Sequence, residues 1–202
     1  MIEIMANHDD KILFYLIFII WLLSEIIGGW IIPHYRRHGS KVKGISNNDQ
    51  LLTRIGVIIS ILMVYLMAKN SLNSLPGIFN LPDWTYLLGL IMMISGIIIR
   101  QWSIAVLGQY FSPNLGVQKD QKVVNKGPYH LIRHPSYTGM LFIILGVSVA
   151  WQSLIALIIS TMLIGVTISY RIHVEEKMLI AELREEYINY KKHTKKLIPY
   201  II

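Results

Sequence analysis

The run ILFYLIFIIWLLSEIIGGWII, from Ile12 to Ile32, holds a single charged residue, Glu25. A bilayer core about 30 Å thick needs roughly 20 apolar residues at about 1.5 Å each, so a run of this kind commits the chain to a membrane span. Pro33 ends it. A second run, Ile55 to Ala68, reaches span length with Leu51 and Leu52 included, and a third runs from Trp84 to Leu107 with Trp84 and Tyr86 as interfacial anchors. The fourth, Tyr137 to Tyr170, is too long for one crossing and short for two.

Charge resolves the fourth run. Segments 108–136 and 171–202 are both rich in Lys and Arg, so the positive-inside rule puts both on the cytoplasmic side. The chain must then enter the membrane and return, which predicts a tight helical hairpin of Tyr137–Trp151 and Ser153–Tyr170, turning near Gln152. Of 19 Lys and Arg, only Lys11 and Lys69 fall outside on this reading. The expectation is an all-α, polytopic integral membrane protein with about five transmembrane helices, N-terminus out and C-terminus in. A C-terminal amphipathic cytosolic helix over Arg171–Lys196 completes it, with Met178, Leu179, Leu183 and Tyr187 as its apolar stripe. Residues 1–107 then form three transmembrane helices with loops, and 108–202 a catalytic region, within one integrated membrane domain.

Composition agrees. The chain is 53% hydrophobic and only 15% charged, against about a quarter charged in soluble domains. It has no cysteine, which excludes disulfides and thiol catalysis. The net charge of +7 fits a basic cytoplasmic face rather than nucleic-acid binding. The acidic stretch MIEIMANHDDK does not read as the basic start of a cleavable signal.

The polar residues capable of chemistry gather at the two ends of the hairpin. The loop Gly108–Pro135 supplies Gln118, Gln121, Lys122, Tyr129, His130, Arg133 and His134, and the start of the tail supplies Arg171, His173, Glu175 and Glu176. A hairpin brings its ends together, so these groups should meet at one membrane face. Arg171 and Glu175 are four apart, the spacing of an ordinary helix-surface ion pair worth a few tenths of a kcal/mol, yet they lie at the membrane edge. His130, Arg133 and Lys122 read equally well as lipid-headgroup contacts. Glu25 and Arg54 read as a structural pair between the first two spans. Pro135 suits the first turn of a helix, whose free N–H groups can hold an anion or be capped by a side chain. A metal site needs several ligands in a workable geometry, and none is expected.

The run GPYHLIRHPSYTGML, followed by RIHVEEKMLIAELREEYINYKKHTKKLIPYII, resembles the isoprenylcysteine carboxyl methyltransferase family, with the phospholipid N-methyltransferases as more distant relatives. G-x-Y, R-H-P-x-Y-x-G, R-x-x-x-E-E and E-Y-x-x-Y occur in the family's order over roughly residues 96–200. The resemblance implies a membrane methyltransferase that uses S-adenosylmethionine at the cytosolic face. It assigns cofactor contacts to Gln118, Gln121, Lys122, Val123, Val124, Tyr129, His134, Pro135, Ser136, Tyr137 and Glu175. Arg171 would bind the substrate at the reacting end. Gln121 and Lys122 stand where the family usually has a His before the cofactor-loop Leu-Val. A lipophilic acceptor would enter from the bilayer; a carboxylate acceptor needs no general base, whereas a phenol or amine would call on Glu176 or His173. Open alternatives are phospholipid N-methylation, O-methylation of a lipid-like phenol or pyrone, a sterol-reductase-like membrane oxidoreductase, and a non-catalytic membrane protein of the same fold.

Overall fold

The computed structural model describes residues 8–32, 42–44, 51, 55, 58, 81–114, 116–118 and 120–199. The expected second span, 55–68, therefore lies almost wholly outside the described residues, as does Arg54.

The first span is an α-helix, α1 (His8–Ser24), that widens into a π-helical stretch over Glu25–Ile31. Phe14, Ile17 and Trp21 recur at helical spacing on its buried face, while Leu13, Leu16, Ile19, Ile20 and Leu23 point outward. An apolar outer face of this extent belongs in lipid rather than water. The third span, expected over Trp84–Leu107, is α2 (Thr85–Leu107). The hairpin is α3 (Pro135–Ala150) and α4 (Leu154–Leu183). Three described helices are long and apolar enough to cross a membrane, those around Ile12–Gly29, Thr85–Tyr110 and Leu154–Leu183. The arm α3 is shorter, about 24 Å at 1.5 Å per residue.

The hairpin turns at Gln152, whose φ of +54° lies in the left-handed region. The turn is pinned from outside: Leu81 N–H donates to Gln152 O at 2.8 Å, and Gln152 Nε2 donates to Asp83 O at 3.1 Å. Ser153 Oγ then caps α4 by accepting from Ala156 N–H at 3.2 Å.

The backbones of α2 and α3 approach at glycines. A Cβ on Gly96 would stand 2.6 Å from Gly139 O, and one on Gly139 would meet Gly96 O and Arg100 Cβ at 2.7 Å. One helical stretch away, a Cβ on Gly146 would meet Gly89 O at 2.8 Å. Small residues at such intervals let membrane helices pack backbone to backbone, where dispersion replaces the hydrophobic effect as the driving force. The core follows this seam. Phe14, Ile17, Leu90, Met93, Val147 and Ala150 join α1, α2 and α3, and Ile144, Ile164, Ile168 and Ile172 join α3 to α4. Inside the hairpin, Ser148 Oγ and Ser160 Oγ share a buried hydrogen bond of 2.8 Å.

Two features depart from the expected all-α layout. Val42–Gly44 (β1) pairs antiparallel with Gly116–Gln118 (β2), with Lys43 opposite Val117. The strand in the long loop was not legible because three residues give too short an alternation to separate from irregular chain. The tail also does not begin a new helix at Arg171. No Pro or Gly interrupts the chain there, so α4 runs on to Leu183. The break comes at Arg184, with φ +47°, before α5 (Glu185–His193).

Candidate functional site

The site forms where α3 begins and α4 leaves the hairpin core. Lys126 and Gly127 lead into a 3₁₀ turn, Gly127–His130, that buries Pro128 and Tyr129. His134 then sits at the N-cap of α3 and Pro135 at its first position, with φ already suited to a helix. A strap from the chain's end fixes this corner. Arg133 N–H and His134 N–H donate to Lys195 O and Lys196 O at 2.7 and 3.0 Å, and Thr138 Oγ1 donates to Leu197 O at 2.7 Å.

Around this corner lies a cavity of about 440 Å³, within the roughly 300–1,000 Å³ usual for small-molecule sites. Its polar end holds His134, Ser136, Tyr137, Arg171 and Glu175 together with the loop residues Gln121, Lys122, Val123, Val124 and Tyr129. Its apolar wall includes Trp21, Leu22, Leu107, Met140 and Ile168, and Leu179, Leu183 and Tyr187 extend it along the tail. The hairpin topology thus brings together most residues named from sequence. Pro135 is fully buried beneath the corner, and Gln118, buried in β2, gives its Nε2 hydrogen to Gln109 O; neither is part of the lining.

Tyr137 links the polar groups. Its hydroxyl donates to Glu175 Oε2 at 2.5 Å and accepts from Arg171 Nε at 2.6 Å. The expected Arg171–Glu175 ion pair is therefore bridged through a phenol. The Arg171 guanidinium also lies 5.4 Å from the Tyr137 ring centroid and donates from Nη2 to Pro113 O at 2.7 Å. On the other face, the His134 ring stacks on Tyr137 with centroids 5.5 Å apart and planes 16° from parallel. Burial, with the charge of Glu175 second, drives the Tyr129 hydroxyl far above its ordinary pKa, so it stays protonated. Burial likewise pushes Tyr190 up to about 12; its hydroxyl donates to Tyr129 O at 2.6 Å.

Glu176 does not face the cavity. Its buried carboxylate accepts from Arg133 Nε at 2.8 Å and Lys191 Nζ at 2.7 Å, and His134 Nε2 stands 3.4 Å away. Arg133 also donates to Thr194 O. The headgroup reading of Arg133 is therefore corrected: its side chain is buried and ties α5 and the terminal strap to α4. Nothing in the spacing of Arg133 signalled this, because its partners come from 43 to 61 residues downstream.

The expected Glu25–Arg54 pair lies outside the described residues. Among the described residues the partner of Glu25 is Arg100 of α2: Nη2 donates to Glu25 Oε2 at 2.7 Å, and Nε donates to the other oxygen. Both residues line the cavity. The signal was present, since a carboxylate and a guanidinium each interrupt an apolar run and intramembrane charges pair.

The arrangement joins a cation, a carboxylate, aromatic faces and a helix N-terminus to an apolar wall. Among the described residues, three buried side-chain polar atoms have no hydrogen-bond partner: Trp21 Nε1, Ser112 Oγ and His134 Nε2. All three belong to the cavity lining. Such atoms are uncommon in native proteins, and of the three His134 Nε2 has the Glu176 carboxylate 3.4 Å away.

Comparison with known proteins points the same way. The family model described as the isoprenylcysteine carboxyl methyltransferase family matches residues 88–181. The chain is 34% identical over 116 residues to the protein-S-isoprenylcysteine O-methyltransferase of Saccharomyces cerevisiae, covering 56% of this chain and 48% of that protein. It is 28% identical over 120 residues to protein-S-isoprenylcysteine O-methyltransferase B of Arabidopsis thaliana, covering 58% of this chain and 61% of that one. The fold is similar to the solved structure of the eukaryotic intramembrane Ras methyltransferase, with a TM-score of 0.57, 23% identity, and coverage of 78% of this chain and 55% of that chain. The chain thus spans about half to three fifths of the length of these relatives.

Proposed function

We propose that this chain, whose residues 88–181 match the model of the isoprenylcysteine carboxyl methyltransferase family, is a member of that family and carries out an S-adenosylmethionine-dependent methyl transfer to a carboxylate on a lipophilic acceptor. One observation carries the reading: His134, Tyr137, Arg171 and Glu175 line one cavity together with the apolar Trp21, Leu22, Met140 and Ile168. The relatives' printed activity, O-methylation of protein-S-isoprenylcysteine, supports the same chemistry.

The residues fit the cofactor by the chemistry of the donor set. Glu175 suits its amine, and the N-terminus of α3 with Ser136 suits its carboxylate. Tyr129, Tyr137 and the stretch Gln121–Val124 offer stacking and polar edges for the nucleoside. When bound, S-adenosylmethionine supplies an electrophilic methyl group on a sulfonium. Tyr137, held between Arg171 and Glu175, keeps both charged groups at fixed positions, so the chain's contribution is positioning and exclusion of water. Arg171 spends Nε and Nη2 on Tyr137 and Pro113, and Nη1 takes no hydrogen bond among the described residues. That nitrogen is left to hold an acceptor carboxylate.

A carboxylate is already a nucleophile near neutral pH. Neither candidate base lines the cavity: Glu176 is held by Arg133 and Lys191, and His173 is exposed. This favours a carboxylate over a phenol or an amine, and over phospholipid N-methylation. The acceptor's apolar part would lie along Trp21, Leu22, Met140 and Ile168. The membrane arrangement proposed with it is one integrated domain of five spans, N-terminus out and C-terminus in, with the cavity open to the cytoplasm.

Binding of S-adenosylhomocysteine to detergent-solubilised protein tests the reading. Saturable binding should be lost in His134→Ala and Glu175→Ala. Arg171→Ala should retain binding while losing methyl transfer to a prenylcysteine analogue. Folded wild type that binds no S-adenosylhomocysteine refutes the cofactor assignment, and transfer to phospholipids instead of carboxylates refutes the acceptor class.

A further inference from the structure

Among the described residues, the most buried ion pair outside the terminal strap joins the first span to α2, and its side chains are only 9% and 18% exposed for Arg100 and Glu25. Desolvating two charges at this depth is costly, and an apolar pair of similar volume would hold two helices at least as well. The pair must therefore do something that packing does not. Its third partner shows what. Arg100 Nη1 donates to Ser136 Oγ at 2.8 Å and to Ser136 O at 3.2 Å. Each guanidinium nitrogen is thus engaged, two on Glu25 and one on Ser136.

We infer that Arg100, oriented by Glu25, is a positioning residue that fixes Ser136 at the mouth of the cavity. Because Ser136 Oγ accepts from Arg100, its own hydrogen remains to be donated to a ligand anion at the start of α3. A hydroxyl whose acceptor lone pair is occupied by a guanidinium points its hydrogen in a restricted direction.

Three local features serve this contact. Gly139, the glycine of the R-H-P-x-Y-x-G motif, has no Cβ, and one placed there would meet Arg100 Cβ at 2.7 Å and Arg100 N at 2.8 Å. The motif glycine thus admits Arg100 to the seam. On the other side, the helix carrying Glu25 switches to π-helical winding at that residue, and such wide turns are uncommon and concentrate at functional sites. Beside the pair, Gln101 Nε2 donates to Ser24 Oγ at 3.1 Å, and a Cβ on Gly28 would collide with the Gln101 amide at 2.1 Å. The first span is docked on α2 at the level of the pair, so its register sets where Arg100 can reach.

The inference rests on the cofactor reading above, with Ser136 facing the cofactor, and the test separates the two. Arg100→Lys keeps the positive charge for Glu25 but has a single nitrogen, which cannot hold both oxygens of Glu25 and both oxygens of Ser136. The full chain in detergent is assayed for S-adenosylhomocysteine binding by calorimetry and for thermal unfolding. Arg100→Lys should unfold within a few degrees of wild type and bind S-adenosylhomocysteine about tenfold more weakly, the loss expected for one charge-assisted hydrogen bond. A second comparison removes dependence on that one variant. Arg100→Gln and Glu25→Gln each strand a buried charge and should unfold earlier, while the double variant strands none and should regain stability. Its affinity should nevertheless stay about tenfold below wild type. Wild-type affinity in Arg100→Lys or in the double variant overturns the positioning role and leaves the cofactor reading standing. Wild-type protein that binds no S-adenosylhomocysteine overturns both.

Discussion

The substitution Gly96→Ala probes how closely the site depends on the glycine seam. The new Cβ would stand 2.6 Å from Gly139 O, a backbone atom that cannot rotate away. Ordinary van der Waals contact begins near 3.4 Å, so α2 and α3 must part by about 0.8 Å or distort. Overpacking of this kind costs about 2 kcal/mol, which lowers Tm by roughly 4–8 °C in a chain of this length. The displacement also reaches the site. Arg100 lies one turn beyond Gly96, and Ser136 lies almost one turn before Gly139. An opening of about 0.8 Å takes the 2.8 Å Arg100–Ser136 bond to about 3.6 Å, beyond hydrogen-bonding range. Thermal unfolding and S-adenosylhomocysteine titration on the same preparation read both effects, and affinity should fall with stability. Gly165→Ala is the matched control. Among the described residues nothing lies within 4 Å of a Cβ there, and alanine gains up to about 1 kcal/mol of helix propensity. The reasoning is refuted if Gly96→Ala unfolds and binds like wild type, and its structural link to the site is refuted if Tm falls while affinity does not.

Glu176→Gln should strand Arg133 in a buried setting, cost about 3 kcal/mol and lower Tm by roughly 6–12 °C, while the folded fraction keeps its methyl-transfer rate. Loss of turnover at unchanged Tm would instead identify Glu176 as the base that a phenol or amine acceptor requires. The proposed topology is read with single cysteines introduced into this cysteine-free chain. Ser153→Cys at the hairpin turn should label with a membrane-impermeant maleimide from outside the cell, and Lys192→Cys only after the membrane is opened. Reversed labelling refutes the orientation.

The first and third spans, the hairpin and its turn were legible because each follows from local quantities. Run length against bilayer thickness fixes a span, and charge on both flanks of one apolar run fixes a return. Gln152 stood out as the one polar break with room for a turn, and the structure puts a left-handed residue there. From the return alone it followed that residues 134–137 and 171–176 meet, since the two ends of a hairpin cannot be far apart. The hairpin alone placed His134, Ser136, Tyr137, Arg171 and Glu175 together, whereas Gln121, Lys122, Val123, Val124 and Tyr129 came from the family resemblance.

Partners remote in sequence were not readable. Glu25 and Arg100 are 75 positions apart, and their pairing depends on which helix packs on α1, a choice made by the glycine seam and by Ser24 meeting Gln101. Glu176 and Glu175 are adjacent and chemically identical, so composition and spacing do not separate them, and only the family resemblance gave Glu175 to the cofactor. About 100° of rotation per residue on α4 sends Glu175 to Tyr137 and the cavity, and Glu176 to Arg133 and the terminal strap. Sequence determined that this chain lies in a membrane and gathers its polar chemistry at one end of a hairpin, because hydropathy and charge act over a few residues. Only the tertiary structure decided that Glu176 turns to Arg133 and Lys191 and that Arg100 stands behind Ser136, because side-chain direction is set by helix rotation and close packing that no local pattern encodes.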